Sequence, residues 1–232
     1  MFVWLPEVAS TYGPRIDHLF YIILALTGGS MILTEACLFW FAWKYRHREG
    51  RRAHYTHGNK TIEAVWTVIP AGILVMLTFM SKSVWDLVKH TNPPSDVNLL
   101  ITASQFNWEV RYPGSDGKLD TPDDVVLNNE MHVPLGRPTH IMLRSKDVIH
   151  SFFLPNMRVK QDVVPGLTIP IWFEPTKAGN YEIGCAELCG FGHYTMHGIL
   201  TVHPAEEYKA WLEQAEKEAG PQAAPAADEG PA

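Results

Sequence analysis

Cys185, Cys189, His193 and Met196 fall within the twelve residues CAELCGFGHYTM, which place two thiols, an imidazole and a thioether in one loop. Two neighbouring thiols facing an oxidising compartment either pair as a disulfide or bind metal. Three chemistries are therefore open: a disulfide closing a short loop, zinc held by two cysteines and two histidines, and copper. Zinc has no use for the thioether, whereas a soft thiolate and thioether set selects copper.

Cys189, His193 and Met196 follow the ligand order of a mononuclear cupredoxin loop, and such a site needs a second histidine from elsewhere. The stretch DVIHSFF supplies His150, about 35 residues upstream of the loop. Cys185 is then in excess, because one copper has no place for a second thiolate. Two coppers do. With Cys185 and Cys189 as bridges, each metal takes one imidazole, from His150 or His193, and a weak outer ligand. Met196 serves one metal, and a backbone carbonyl between the cysteines, that of Glu187, serves the other. Two shared thiolates spread one electron over both metals, which suits fast electron transfer and leaves no open position for substrate.

Two apolar stretches precede this region, over residues 19–43 and 62–88. At about 1.5 Å per residue each is long enough to cross a hydrocarbon core of about 30 Å, so both are expected to be transmembrane helices. The segment before the first is long and nearly free of positive charge, which argues against a cleaved signal peptide. Between them, residues 44–61 carry Lys44, Arg46, Arg48, Arg51, Arg52 and Lys60 against Glu49 alone. The positive-inside tendency makes this loop cytoplasmic and puts residues 1–18 and everything after 88 outside. Glu35 inside the first helix is expensive in lipid and should face protein or water. Glu63, Trp66, Thr67 and Pro70 lie at the start of the second, with Glu63 near the interface. Cys37, within the first helix, reads as packing.

From residue 89 to 204 the pattern changes to short β-rich runs: VNLLITAS, FNWEVRY, THIMLRS, VIHSFFL, LTIPIWFE, NYEIGC and GILTVH, separated by Pro, Gly, Asn and Asp. The expected fold is an all-β cupredoxin-like sandwich following an N-terminal two-helix transmembrane hairpin. The acidic insert PGSDGKLDTPDD lacks EF-hand spacing and reads as a hairpin excursion. Residues 205–232 begin as an amphipathic helix and end in an Ala/Pro-rich tail that cannot bury a core and is expected to be disordered. A net charge of −6 suits a basic carrier protein and gives no reason to expect nucleic acid.

These features resemble subunit II of haem-copper cytochrome c oxidases, across about residues 15–215. The resemblance rests on the hairpin, the Glu-x-x-Trp-Thr-x-x-Pro stretch at Glu63 to Pro70, Asp-Val-x-His-Ser-Phe at Asp147 to Phe152, KQDVVPG, and the Cys-x-Glu-x-Cys-Gly-x-x-His-x-x-Met loop. It implies a dinuclear copper centre (CuA) with His150, Cys185, the Glu187 carbonyl, Cys189, His193 and Met196 as ligands. It also implies magnesium at the interface with subunit I through the Glu187 side chain, and a place for Glu63 at the mouth of a proton channel. Electrons would pass from cytochrome c to the copper and on to haem in subunit I, where oxygen is reduced and protons are pumped. Subunit I, other oxidase subunits, cytochrome c and membrane lipid are the implied partners.

One departure stands out. The family usually carries Gln-Trp-x-Trp, and its first Trp commonly receives the electron; here the stretch is QFNW, with Phe106 at that position and Trp108 following. A phenyl ring lacks the indole donor and is harder to oxidise, so the donor is expected to be a membrane-held or complex-bound cytochrome c. Two other readings stay open: a copper-free quinol-oxidase type of subunit, against which the full ligand set argues, and a free-standing membrane-anchored cupredoxin carrier. The tail and the absence of a transit peptide favour a bacterial plasma membrane.

Overall fold

In the computed structural model the described residues are 5–52, 55–95 and 97–219, and they form two compact units. The first long helix, α1, spans Gly13–Lys44 and the second, α2, Lys60–Lys89. Both are long and apolar enough to cross a membrane, and their most apolar windows bury nothing against the protein itself. Asn59 starts α2: its side-chain oxygen accepts from the N–H groups of Thr61 and Ile62, satisfying donors that a helix N-terminus leaves open. Pro70 lies inside α2, which continues unbroken through it.

The other unit is a sandwich of two five-stranded sheets. In chain order the strands are β1 Val97–Ser104, β2 Asn107–Tyr112, β3 Val125–Asn128, β4 Glu130–Pro134, β5 Thr139–Ser145, β6 His150–Leu154, β7 Val159–Val163, β8 Ile169–Phe173, β9 Gly179–Cys185 and β10 His197–His203. One sheet has the order β3-β2-β1-β5-β8, the other β4-β10-β9-β6-β7. The pairs β1–β5 and β4–β10 are parallel within otherwise antiparallel sheets, so the chain crosses between sheets rather than meandering. The core lies between the sheets. Alternating residues of β2 (Trp108, Val110, Tyr112) are buried, as are Phe152 and Leu154 of β6, Ile183 of β9 and Leu200 of β10. Trp108 meets Phe152 edge to face at 5.3 Å between ring centres.

The seven anticipated β runs all contain strands, and three more lay unrecognised. β3 is four residues long, β4 ends in Pro134, and β7 reads VKQDV; none shows an apolar alternation strong enough to stand out. The acidic insert closes the β2–β3 hairpin, with Asp123 accepting from the Ser115 hydroxyl and the Asp116 N–H.

The N-terminal segment differs from expectation. Residues 1–18 read as one separate stretch before the membrane, but α1 already begins at Gly13, and residues 9–12 are built into the sandwich. The Ala9 N–H donates to the Asn156 carbonyl at 2.8 Å, the Thr176 N–H to Ala9 at 2.8 Å, and the Ser10 hydroxyl to Met157 at 2.7 Å. Tyr12 is buried edge-on against Trp172. Partners more than 140 positions away leave no periodic signal in so short a stretch.

At the other end, α3 (Ala205–Ala219) packs on the sandwich. Trp211 stacks on His132 at 4.2 Å, and His132 Nδ1 lies 2.8 Å from His203 Nε2. Burial, with His203 alongside, lowers the His132 pKa to about 4. The tail expected to be disordered, from residue 220 on, lies outside the described residues.

Candidate metal centre

Strand pairing assembles the site. β6 and β9 run antiparallel with Phe152 opposite Cys185, so His150 at the start of β6 sits beside the chain as it leaves β9. The loop from Cys185 to Met196 joins β9 to β10, and its ends are tied by the Cys185 N–H donating to the Met196 carbonyl at 3.2 Å. Inside it, the N–H groups of His193, Thr195 and Met196 donate to Gly190, Gly192 and His193, a set of tight turns that brings His193 and Met196 back toward Cys189.

Cys185 Sγ and Cys189 Sγ are 3.8 Å apart. His150 Nδ1 lies 3.9 Å from Cys185 Sγ, His193 Nδ1 lies 3.6 Å from Cys189 Sγ, and Met196 Sδ lies 3.7 Å from Cys189 Sγ. The Glu187 carbonyl oxygen is 3.3 Å from Cys185 Sγ. The four other donor atoms expected from the sequence thus lie around the two thiol sulfurs.

This donor set fits metal better than a disulfide. The S–S separation is far beyond the bonded value of about 2.05 Å. Sulfurs so placed can both lie about 2.3 Å from a metal ion, on either side of the line between them. The ligand atoms of His150, Cys185 and Cys189 all lie within 4.8 Å of one another. His193 stands by Cys189, so each imidazole accompanies a different thiol.

His150 is fully buried, and its Nε2 is 2.7 Å from Asp147 Oδ1. A carboxylate takes the ring N–H there, leaving the Nδ1 lone pair directed at Cys185. Burial works to raise the Asp147 carboxyl, but hydrogen bonds from His150 and from the Gln105 and Val148 N–H groups outweigh it and hold the carboxyl below the usual range. Cys189 is 3% exposed, and burial together with the neighbouring Cys185 thiol pushes its pKa up to about 11. Without metal that thiol stays protonated, so metal binding must displace a proton.

Phe106 rests against the loop. A Cβ added at Gly192 would lie 2.5–2.9 Å from three atoms of its ring, and one at Gly190 would lie 3.3 Å from it. Trp108 is buried below, its ring 6.1 Å from that of His150. Nothing docking at the surface touches Trp108, and its Nε1 has no hydrogen-bond partner among the described residues. Leu188, Phe191 and Tyr194, which the sequence reading passed over, are 77%, 98% and 81% exposed and form an apolar outer face on the metal loop. Gln105 and Asp147 were also missed as contributors. The two glycines of CGFGH were the available sign that a side chain lies against the loop.

Glu187 has an exposed side chain, free to reach outward. Glu63 belongs to the helical unit, where it is exposed in the first turn of α2.

A cupredoxin-like sandwich that brings two thiols, two imidazoles and a thioether together from one loop and strand β6, following two helices of membrane-crossing length, defines a class of membrane-anchored metal-site proteins. Residues 108–202 match the family model for the cytochrome c oxidase subunit II periplasmic domain, and residues 2–84 that for its transmembrane domain. The alternative cytochrome c oxidase subunit 2 of Bradyrhizobium diazoefficiens is 33% identical over 242 residues, covering 94% of this chain and 86% of that one. Cytochrome c oxidase subunit 2 of Thermostichus vulcanus is 29% identical over 255 residues, covering 90% and 78%. The solved periplasmic domain of cytochrome oxidase subunit II from Bradyrhizobium japonicum is 30% identical, with a TM-score of 0.50, over 56% of this chain and 100% of that one. The chain belongs to the cytochrome c oxidase subunit II family. It is thus a membrane-anchored subunit of a haem-copper terminal oxidase, an oxidoreductase, in a copper-binding family.

Proposed function

We propose that this chain is the electron-accepting subunit of its oxidase. His150, Cys185, the Glu187 carbonyl, Cys189, His193 and Met196 would hold a dinuclear copper centre, which would supply the one-electron chemistry for transfer from cytochrome c to haem in subunit I. There oxygen is reduced to water with proton pumping. The observation that carries this reading is the pair of thiols 3.8 Å apart with a separate imidazole beside each. Bound copper supplies one-electron redox chemistry shared over two metals. The protein's own part is to fix the ligands: Asp147 sets the His150 tautomer, and Cys189 and Met196 are shut away from water. Because the ligands are already gathered, little rearrangement accompanies a change of charge.

Further roles follow on the same reading. Residues 89–204 are the copper domain, residues 19–88 the membrane hairpin with loop 44–61 in the cytoplasm, and both termini lie on the external side of a bacterial plasma membrane. The packing of residues 9–12 on the sandwich supports a shared side for the N-terminus and the copper domain. The Glu187 side chain helps bind magnesium where the chain meets subunit I, Glu63 lies at the mouth of a proton channel, and Phe106, with Trp108 behind it, makes the apolar contact with the docked haem edge. With Phe106 in place of an indole, the donor is a membrane-held or complex-bound cytochrome c, and membrane lipid surrounds the two helices.

Rapid mixing of the copper-loaded full chain with reduced cytochrome c tests the role. Bleaching of the copper absorbance at a second-order rate is the expected result. No electron exchange with any cytochrome c, with reduction by a quinol instead, would overturn it.

A further inference from the structure

We propose that Gln105 is a positioning residue of the metal centre: it clasps the loop carrying Cys189 to the segment carrying Asp147 and His150, and links the Phe106 ring to the Cys189 sulfur. The electronic half of this proposal rests on the dinuclear copper reading; the clasp itself concerns only side chains in the structure.

Gln105 lies in the turn between β1 and β2 and is exposed, so core packing does not explain it. Its backbone N–H donates to Asp147 Oδ2 at 2.7 Å, and the other oxygen of that carboxylate takes the ring N–H of His150. Its side-chain amide donates to the Cys189 carbonyl. One residue thus reaches both ligand-bearing segments. Gly190 is shaped to admit it: a Cβ there would lie 2.5 Å from Gln105 Nε2, and the backbone adopts φ +143°, which side chains rarely take. Bonding the Cys189 carbonyl restricts the backbone from which the thiol projects, and so holds the spacing of Cys189 from Cys185.

The same bonds form a route. From Phe106 the covalent path crosses one peptide bond to Gln105, runs out along its side chain, and passes one hydrogen bond to the Cys189 carbonyl. It then follows Cα and Cβ to Sγ. A second path leaves the Gln105 N–H through Asp147 to His150, crossing two hydrogen bonds. Each electron carried oxidises one donor haem iron and reduces the copper pair by one.

The test uses the full chain in detergent with Gln105→Met and Gln105→Leu, which delete the side-chain donor and keep the backbone N–H. Because Gln105 is exposed, both variants are expected to fold, and either alone suffices. In the copper-free chain the clasp requires Cys189 to react with a thiol reagent about threefold to tenfold faster than in the wild type, the effect of losing one hydrogen bond. In the copper-loaded chain it requires a shifted reduction potential and near-infrared band, and slower reduction by cytochrome c at matched driving force. An unchanged thiol rate with an unchanged spectrum and potential overturns it. The two readings fail separately: a wild-type chain that binds one copper or none refutes the dinuclear centre, while the metal-free thiol rate still decides the clasp.

Discussion

Gly192→Ala isolates how the Phe106 ring is seated on the metal loop. At φ −89° and ψ 14° the backbone of Gly192 accepts alanine, so the only obstacle is the ring, whose atoms would stand 2.5, 2.6 and 2.9 Å from the new Cβ. Ordinary carbon contacts are about 3.5–4.0 Å, so the ring must retreat by about 1 Å. Overpacking of this kind costs about 1–3 kcal/mol. Restricting the unfolded chain returns about 0.4–1 kcal/mol, leaving a net loss of about 0.5–2 kcal/mol in the single variant. In a Phe106→Ala background the clash is gone, and Gly192→Ala should be neutral or stabilising by about 0.4–1 kcal/mol. The four-way comparison, read from urea unfolding of the full chain in detergent by near-ultraviolet circular dichroism, should therefore give a coupling of about 1–3 kcal/mol. Additivity to within about 0.5 kcal/mol would refute the claim that the ring lies on the loop.

Two further outcomes follow from the titratable groups. His132 has its pKa lowered to about 4 from 6.5, so the folded state favours the neutral ring; its contribution to stability is complete above about 6.5 and is lost as pH falls toward 4. The full difference is about 3.4 kcal/mol at 1.36 kcal/mol per pH unit, reduced to about 1–2 kcal/mol because the ring is only half-buried. Unfolding midpoints compared at pH 7 and pH 4.5 should show this loss in the wild type and a smaller one in His132→Asn. Asp147→Asn replaces the carboxylate that orients His150, and copper affinity, measured by competition with a chelator, should fall about 10–100-fold. Unchanged affinity would mean the buried ring is oriented by packing alone.

What the sequence disclosed and what it hid divide by range. Cys185, Cys189, His193 and Met196 share one loop, so local spacing alone carried most of the proposed ligand set, and His150 was found because that set calls for a second histidine; it reads as the end of a strand-like run, whereas it begins β6. The two apolar helices announce themselves by length. Gln105 and Asp147 escaped as parts of the centre because they work through hydrogen bonds to ligands 84 and 3 positions away, and a polar residue in a turn has a bland explanation. The segment at residues 9–12 escaped for a related reason: its backbone partners are supplied by distant chain, which composition does not encode. β7 pairs with the adjacent β6 and escaped because VKQDV shows no apolar alternation. Trp108, which follows Phe106 in QFNW, is buried because β2 points alternate residues into the core.

The most direct test of the central claim is the copper content of the loaded full chain together with its electron paramagnetic resonance spectrum. The account requires two coppers per chain and one unpaired electron shared equally between them, with that pattern abolished in Cys185→Ser. One copper with a single-nucleus pattern, or none with Cys185 and Cys189 joined as a disulfide, would contradict it.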